Sequence, residues 1–445
     1  MKAVGSFVTG WERDKFHKEN EMLNKNGQQT SWKQELIAGF IGYFTTVYIV
    51  AVNSQILSDA GLPLETGMVA TILASALGCL LIALYANAPM VLIPGMGINA
   101  LFAYSIVEGN NFTYEQGLAV VVVASVFFVI TAFTSLGAWL SRALPLSLIH
   151  SITVGIGFFL ALLGLEKGGV VVKGEQSLIA LGDPTSPVVL TSLATLFIAI
   201  FLFAKNVPGN FLVTLVVGTI IASFTGVLDD PQPALNFAEQ QWVFAPDFSA
   251  MVDFGFWMAV FPLALVIIFE NMGLIHGQLD MVGNKTDTKF HKSYQATAFS
   301  SLSSGFLGTS PTVSSAESAA VIAAGGKTWR ASMTMAVLFI ATLFVIPWIS
   351  IVPSTAISPI LIIVGSLMVQ EIRHIPFDDL SESLPAFLMI AMIPFTYSIP
   401  DGMAFGFIAY PIVKLAMGKQ KELTVPIILI ALAFFIEFLL RIIST

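Results

Sequence analysis

The chain has 445 residues, 56% of them hydrophobic and only 11% charged, with a mean hydropathy of +0.84. Soluble domains carry roughly 25% charged residues, so this is an integral membrane protein. Its net charge of −8 offers no basic face to nucleic acid, and its single cysteine, Cys79, excludes an internal disulfide and argues against a thiolate metal site.

Residues 1–35 are polar, with Arg13, Lys15, Lys18, Lys25 and Lys33 but no apolar run before Leu36. They read as a cytoplasmic arm and not as a cleavable signal. Apolar stretches of about 17 to 24 residues then recur, the length of spanning helices and not of barrel strands. Spans are expected at 36–57, 67–86, 90–107, 117–140, 146–163, 188–204, 211–228, 253–275, 293–307, 309–324, 331–351, 355–369, 383–399 and 403–415. The fold class is therefore an all-α polytopic membrane protein of about fourteen segments.

One apolar stretch, 425–443, is left over within a C-terminal segment at 423–445. It either lies along the inner surface with Glu437 and Arg441 snorkelling, or crosses once more. With the N-terminus cytoplasmic in a cell membrane, Arg142, Lys205, Lys285, Lys289, Lys292, Lys327, Arg330, Arg373, Lys414, Lys419 and Lys421 all fall in inner loops. The acidic connection at 229–252, with Asp229, Asp230, Glu239 and Asp247, falls outside. Lys167 and Lys173 run against this pattern and are offset by Glu166 and Glu175.

Two segments are not ordinary spans. The third reads A-P-M-V-L-I-P-G-M-G-I-N-A-L-F-A-Y, with Pro89 and Pro94 ahead of Gly95 and Gly97 and a helix from about Ile98. The tenth, Gly308 to Thr328, reads G-T-S-P-T-V-S-S-A-E-S-A-A-V-I-A-A-G-G-K-T. Pro311 removes a backbone donor and biases Ser310 to extended backbone. Ser314 and Ser315 are good N-caps for a short helix from about Ala316 to Ala324. Both segments thus predict an extended piece followed by a half-length helix, and each comes third in its half. Seven segments per half is odd, so residues 36–228 and 253–416 form an inverted repeat whose broken helices face each other near mid-membrane, where their strands can pair.

A carboxylate at the centre of a span costs roughly 2.5 to 3.5 kcal/mol on insertion scales, so sequences keep one there mainly where it faces a cavity and works. Glu317 sits in the tenth segment, and Glu270, followed by Asn271, sits deep in the eighth. In the first half the polar group at the broken helix is Asn99. Two acids and a carboxamide suit a flat heterocycle, the acids accepting from ring N–H groups and the amide both donating and accepting. The two helix starts, Gly97 with Ile98 and Ser315 with Ala316, would orient it. A carboxylate withdrawn from water also takes up a proton more readily, so Glu270 or Glu317 would couple protons to binding.

Structural roles compete for several of these residues. Asn53 and Asn99 can bond helix to helix, Glu270 can pair with Thr45 or Thr46, and His150 and His276 sit at span ends. No histidine stands with the acids at ligand spacing, so no metal or cofactor is expected. Phe102 or Phe269 would stack on a base.

The pieces Y-I-V-A-V-N-S-Q-I-L-S-D-A-G-L-P (48–63), A-N-A-P-M-V-L-I-P-G-M-G-I-N-A-L-F-A-Y (86–104), T-V-G-I-G-F-F-L-A-L-L-G-L (153–165) and A-E-S-A-A-V-I-A-A-G-G-K-T (316–328) resemble the AzgA-like purine permeases of the second nucleobase–cation symporter family. The similarity spans about residues 34–420. It implies a core domain of segments at 36–140 and 253–351 and a gate domain of segments at 146–228 and 355–416. It also implies symport of adenine, guanine or hypoxanthine with a proton.

By that match Glu317 is the acid that grips the base, Asn99 the asparagine of the third segment and Glu270 the acid of the eighth. The family pattern there is F-D-T-x-G-T, whereas this chain reads Phe269, Glu270, Asn271, Met272, Gly273, Leu274. A glutamate is closer to the uracil and xanthine branch, whose E-H is here Glu270-Asn271. The expectation is a proton-coupled purine importer and not an enzyme. A uracil- or xanthine-type symporter, or less readily an anion exchanger of the same fold, is the alternative. A homodimer is left open.

Overall fold

The computed structural model describes residues 31–137, 139, 144–174, 177, 179–228, 240–283 and 286–444, with side chains to residue 439. The arm up to residue 30, Arg142, Glu175, Asp229, Asp230, Glu239 and Lys285, and the Arg441 side chain, lie outside these. The helices are α1 (Trp32–Thr46), α2 (Ile49–Asp59), α3 (Leu64–Leu81), α4 (Met96–Ala100, continuing as a wider turn over Leu101–Glu108), α5 (Tyr114–Phe133), α6 (Leu146–Lys167), α7 (Pro187–Ala204) and α8 (Asn210–Thr225). A second series follows: α9 (Phe254–Val282), α10 (Asp287–Leu307), α11 (Ser318–Ala323), α12 (Trp329–Thr342), α13 (Ser354–Val369), α14 (Leu380–Thr396), α15 (Ile399–Ala416) and α16 (Val425–Ser444). Nine helices among the described residues are long and apolar enough to cross a membrane. The helices differ from the segments as drawn: the first is split into α1 and α2, the fourth ends at Phe133, and the eighth and ninth are longer, α9 running to Val282 and α10 beginning at Asp287.

The two broken segments have the expected plan. Strand β1 (Leu92–Pro94) precedes α4, and β4 (Thr312–Ser314) precedes α11. They pair antiparallel with Leu92 opposite Ser314, Ile93 opposite Val313 and Pro94 opposite Thr312. Between them in the chain, a hairpin of β2 (Val171–Val172) and β3 (Ala180–Leu181) closes the loop after α6. Gly95 N donates to Pro311 O and Ser315 N to Val91 O, which extends the β1–β4 ladder at both ends.

Two strands alone leave both outer edges bare, and lipid would not satisfy them. Side chains from neighbouring helices do. Ser301 Oγ of α10 donates to Thr312 O, Ser304 Oγ accepts from Thr312 N at 3.1 Å, and Ser300 Oγ shares a hydrogen bond with Thr312 Oγ1. Ser332 of α12 accepts from Met90 N at 3.0 Å, and Ser318 of α11 accepts from Val91 N at 3.0 Å. This explains why α10 reads A-T-A-F-S-S-L-S-S-G instead of a run of leucine: its polar face is the missing edge strand.

Packing divides the helices into two groups. In one, α12 lies on α1 and α3, α10 on α5 and α3, and α9 on α5; in the other, α13 lies on α6 and α7, α14 on α6 and α15, and α8 on α7. The α6–α13 contact is closest at Gly157 and Gly365. A Cβ on Gly365 would stand 2.4 Å from Gly157 O, so only glycine permits this approach, the usual device for helices in lipid.

The groups meet at one end through Asp59 of α2, whose carboxylate takes Lys167 Nζ of α6 and Tyr104 Oη, each at 2.5 Å. Beside it Tyr397 Oη donates to Glu166 at 2.8 Å, and Ile399 N donates to Ser105 Oγ at 3.0 Å. At the far end of α14 and α15, Lys414, buried, bonds Glu382 and Glu422 at 2.5 Å each. Lys419 beside Asp379, with Ser381, holds that carboxyl well below the usual carboxylate range, so the cap of α14 stays ionised.

The leftover stretch forms α16, and it runs antiparallel along α15. Phe434 stacks on Phe407, Phe438 meets Phe405 edge-on, and Glu437 reaches the polar cavity of about 310 Å³ that also borders Tyr104, Glu108 and Asp401 at the start of α15. Glu437 is thus turned to this cavity, with its side chain buried.

Candidate functional site

The junction of β4 and α11 is where the polar residues gather. Ser314 ends the strand and caps nothing: its hydroxyl donates to Gln278 Oε1 at 2.7 Å, and its N–H donates to Asn271 Oδ1 at 2.8 Å. Gln278 Nε2 in turn donates to Ser315 O at 2.8 Å. Asn271 and Gln278 are seven residues apart on α9, two turns along one face, so one helix face grips the backbone on both sides of the turn. The helix expected from Ala316 begins instead at Ser318, with Glu317 in the cap position. A serine before a short helix has the same local signature whether it caps the helix or ends a strand, and α9 decides the matter.

Glu317 is half-buried and its carboxylate is held by two hydroxyls, Tyr48 Oη at 2.7 Å and Ser315 Oγ. Tyr48, with Val47, forms the turn between α1 and α2, and its ring packs on Phe211 of α8, centroids 4.9 Å apart. Glu317 is thus tied through one side chain to a helix of the other group. Ala316 beside it is exposed, so this half-helix start is open.

Glu270 precedes the Asn271 anchor and is half-buried. One turn further on, Gly273 is exposed, and a methyl there would meet nothing within 4 Å, so this flank of α9 borders open space. Thr45 and Thr46 do not engage Glu270; their hydroxyls bond carbonyls of their own helix at Ile41, Gly42 and Tyr43.

The first half-helix differs. Asn99 is fully buried and its Oδ1 accepts from Ser310 Oγ at 2.5 Å, while Asn53 donates to Thr71 and to Thr309 at 2.8 and 3.0 Å. Both carboxamides therefore hold the residues leading into β4. Gly97 is covered: a Cβ there would stand 2.7 Å from Ile156 Cγ2 of α6 and 3.1 Å from Met368 Cε of α13. Ile98 is buried behind it. The structure brings together Glu317, Ser315 and Ala316 with Tyr48, sets Gly97 under Ile156 and Met368 of the second helix group, and buries Ile98 and Asn99, the latter on Ser310.

Phe269 packs partly buried on the main hydrophobic cluster, and Phe102 is fully buried against Tyr114 at 5.4 Å, which makes Phe102 a core ring with no free face for a base. Sequence reasoning missed Tyr48, Gln278 and Ser310. The spacing of Gln278 from Asn271 was the available signal. His276 stacks on Phe290 at 3.9 Å. His150, by contrast, meets Glu371 and His374 at ligand distance, a grouping that no spacing along the chain reveals.

The strand–helix junction depends on the amide of Asn271. Asn271→Ala leaves the Ser314 N–H buried without its acceptor, which costs about 1 to 3 kcal/mol. The expected outcome is a clear fall in the melting temperature of the purified protein, whereas Leu274→Ala on the open flank lowers it less.

Two broken segments joined through their strands, with a carboxylate at an exposed half-helix start inside a bundle of apolar helices, define a membrane permease. The chain belongs to the Permease family whose profile is labelled Xan_ur_permease, matched over residues 33–405. It is 42% identical over 417 residues to the nucleobase transporter PlAzg2 of Paenibacillus larvae, covering 92% of this chain and 83% of that one. It is 39% identical to the guanine/hypoxanthine permease PbuO of Bacillus subtilis (94% and 99% covered) and 32% to the adenine permease AdeP of Escherichia coli (92% and 93%). In fold it is similar to the transmembrane domain of the cyanobacterium bicarbonate transporter BicA, with TM-score 0.69, 16% identity and 85% and 98% coverage. The murine anion transporter Slc26a9 gives TM-score 0.65 at 15% identity, with 94% and 74% coverage. The resemblance read from the motifs holds, and the chain is a multi-pass transporter and not an enzyme.

Proposed function

We propose that this permease imports purine nucleobases, hypoxanthine, guanine or adenine, across the cell membrane together with protons. The observation that carries this reading is Glu317 at the exposed start of the second half-helix, held by the Tyr48 and Ser315 hydroxyls in a form that still offers acceptor lone pairs to ring N–H groups. Three relatives named for nucleobase, guanine/hypoxanthine or adenine transport support the substrate class. Glu270, next to the Asn271 that accepts from Ser314 N–H, serves in this reading as the second acid; one of the two carries the proton.

In this reading the helices packed around the strand pair form the core at 36–140 and 253–351, and α6–α8 with α13–α15 form the gate. The chain crosses about fourteen times with its N-terminus cytoplasmic. The Asp59 end is then external, and transport moves the core against the gate. Asn99 acts through Ser310 by fixing the approach to β4, and Phe269 supports Glu270 from the cluster side.

The test is uptake of radiolabelled hypoxanthine, guanine and adenine, with uracil and xanthine as competitors, with and without a protonophore. Collapse of the proton gradient is expected to remove accumulation of the preferred base. Accumulation indifferent to the gradient rejects the coupling, and competition by uracil alone moves the substrate to the pyrimidine branch.

A further inference from the structure

Away from the strand pair, three metal-type ligands converge between two gate helices. His150 lies in the second turn of α6, and Glu371 and His374 lie three residues apart in the tight turn over Gln370–His374 that continues α13. His150 Nδ1 stands 2.9 Å and His374 Nδ1 3.0 Å from the same oxygen, Glu371 Oε2, and the three ligand atoms all lie within 4.8 Å of one another. The two rings face each other at 5.1 Å with a tilt of 35°. Their side chains are between a fifth and a quarter exposed, enough for an ion to reach them and enough cover to hold it. The cation of the same turn, Arg373, bonds Gln370 through Nε and Nη2, at 3.0 and 2.9 Å.

We propose that His150, Glu371 and His374 bind a divalent transition-metal ion of the zinc type, clamping α6 to α13. Tetrahedral zinc takes nitrogen at about 2.0 to 2.1 Å and carboxylate oxygen at about 2.0 to 2.2 Å, which sets ligand atoms about 3.4 Å apart. The two histidine–Glu371 pairs, at 2.9 and 3.0 Å, need to open by about 0.4 to 0.5 Å to admit it, and the two ring nitrogens already lie within 4.8 Å of each other. Each ring that now donates Nδ1–H to Glu371 moves that proton to Nε2 and presents Nδ1 to the metal, so no net proton is released from neutral rings. Two imidazoles and one carboxylate favour zinc, nickel or copper over magnesium or calcium. A water completes the shell.

The clamp has a consequence for the permease. Ile156 lies six residues from His150 on α6, about 9 Å along the axis, and Met368 lies three before Glu371. These are the two side chains that cover Gly97. An ion at the clamp fixes the spacing of the helices that lid the first half-helix, a step that rests on the transport reading above, whereas the binding itself does not.

Zinc binding to the purified, tag-free full chain in detergent, measured by competition with a chromophoric chelator, tests the site. About one ion per chain is expected. His150→Gln, His374→Gln and Glu371→Gln, which keep a hydrogen-bonding group at each position, should each weaken it at least about tenfold. His291→Gln leaves it unchanged, and magnesium does not compete. Zinc affinity that survives both His150→Gln and His374→Gln, in protein that elutes like wild type, overturns the proposal, as does failure of the wild type to bind. Neither result bears on nucleobase uptake, which is measured separately.

Discussion

Replacing Glu317 by glutamine is expected to abolish substrate binding while leaving the protein folded. Glutamine keeps the length of the side chain; Tyr48 and Ser315 now donate to different carboxylate oxygens, so the amide oxygen accepts from one hydroxyl and the amide NH2 donates to the other once it rotates, and the β4–α11 turn retains its partners. What is lost is charge. A hydrogen bond to an ionised group contributes about 1.5 to 3 kcal/mol, and a base presenting two N–H groups to the carboxylate would lose most of that twice. Binding should therefore weaken by about a hundredfold or more, read as the disappearance of the nucleobase-induced shift in melting temperature and of radiolabelled uptake. Tyr48→Phe removes one donor that orients the acid and leaves the charge, so it should cost only several-fold in affinity. Ligand shifts that persist in Glu317→Gln would take this residue out of the site, and a Tyr48→Phe loss equal to that of Glu317→Gln would make the hydroxyl, not the acid, the principal contact.

The broken segments were legible because their cause is local. Pro94 and Pro311 interrupt otherwise apolar runs, and backbone that cannot be helical at that depth must pair with something. Which atoms complete the pairing was not legible, because it depends on side chains far away in sequence. Ser300, Ser301 and Ser304 look like weak spots in a spanning helix until β4 lies against them, and Ser314 looks like a helix cap until Gln278 and Asn271 claim it. Asn99 was legible as a polar group at a half-helix start, but the partner of its oxygen, Ser310 in the other half of the chain, was not, and its Nδ2 remains without a partner. The direction of α16 was undecided for a similar reason. Its polar residues suit an interfacial helix or a buried one equally, and its packing along α15 depends on Phe407 and Phe405, which no local pattern in 425–443 reveals. Glu371 and His374 share a turn, but the third ligand, His150, belongs to the other half of the chain.

If transport moves the core against the gate, the Asp59–Lys167 contact must part in every cycle, because one residue lies on α2 and the other on α6. Removing the charge alone is a weak test. The two side chains are 28% and 14% exposed, and pairs in contact with water are worth about 0.2 to 1 kcal/mol, so Asp59→Asn shifts the balance of conformers by at most about fivefold. A covalent tether is decisive, because it removes one conformer instead of reweighting it. Cys79 is the single cysteine and is buried, so Cys79→Ala provides a background in which Asp59→Cys with Lys167→Cys can be joined by a short bifunctional methanethiosulfonate. Uptake in the joined protein is expected to fall at least about tenfold and to return when the mixed disulfides are reduced. The same reagent on either single cysteine should leave uptake nearly unchanged. Full transport with the tether in place would mean that core and gate keep their contact at this end throughout the cycle, and that the substrate passes by a route opening elsewhere.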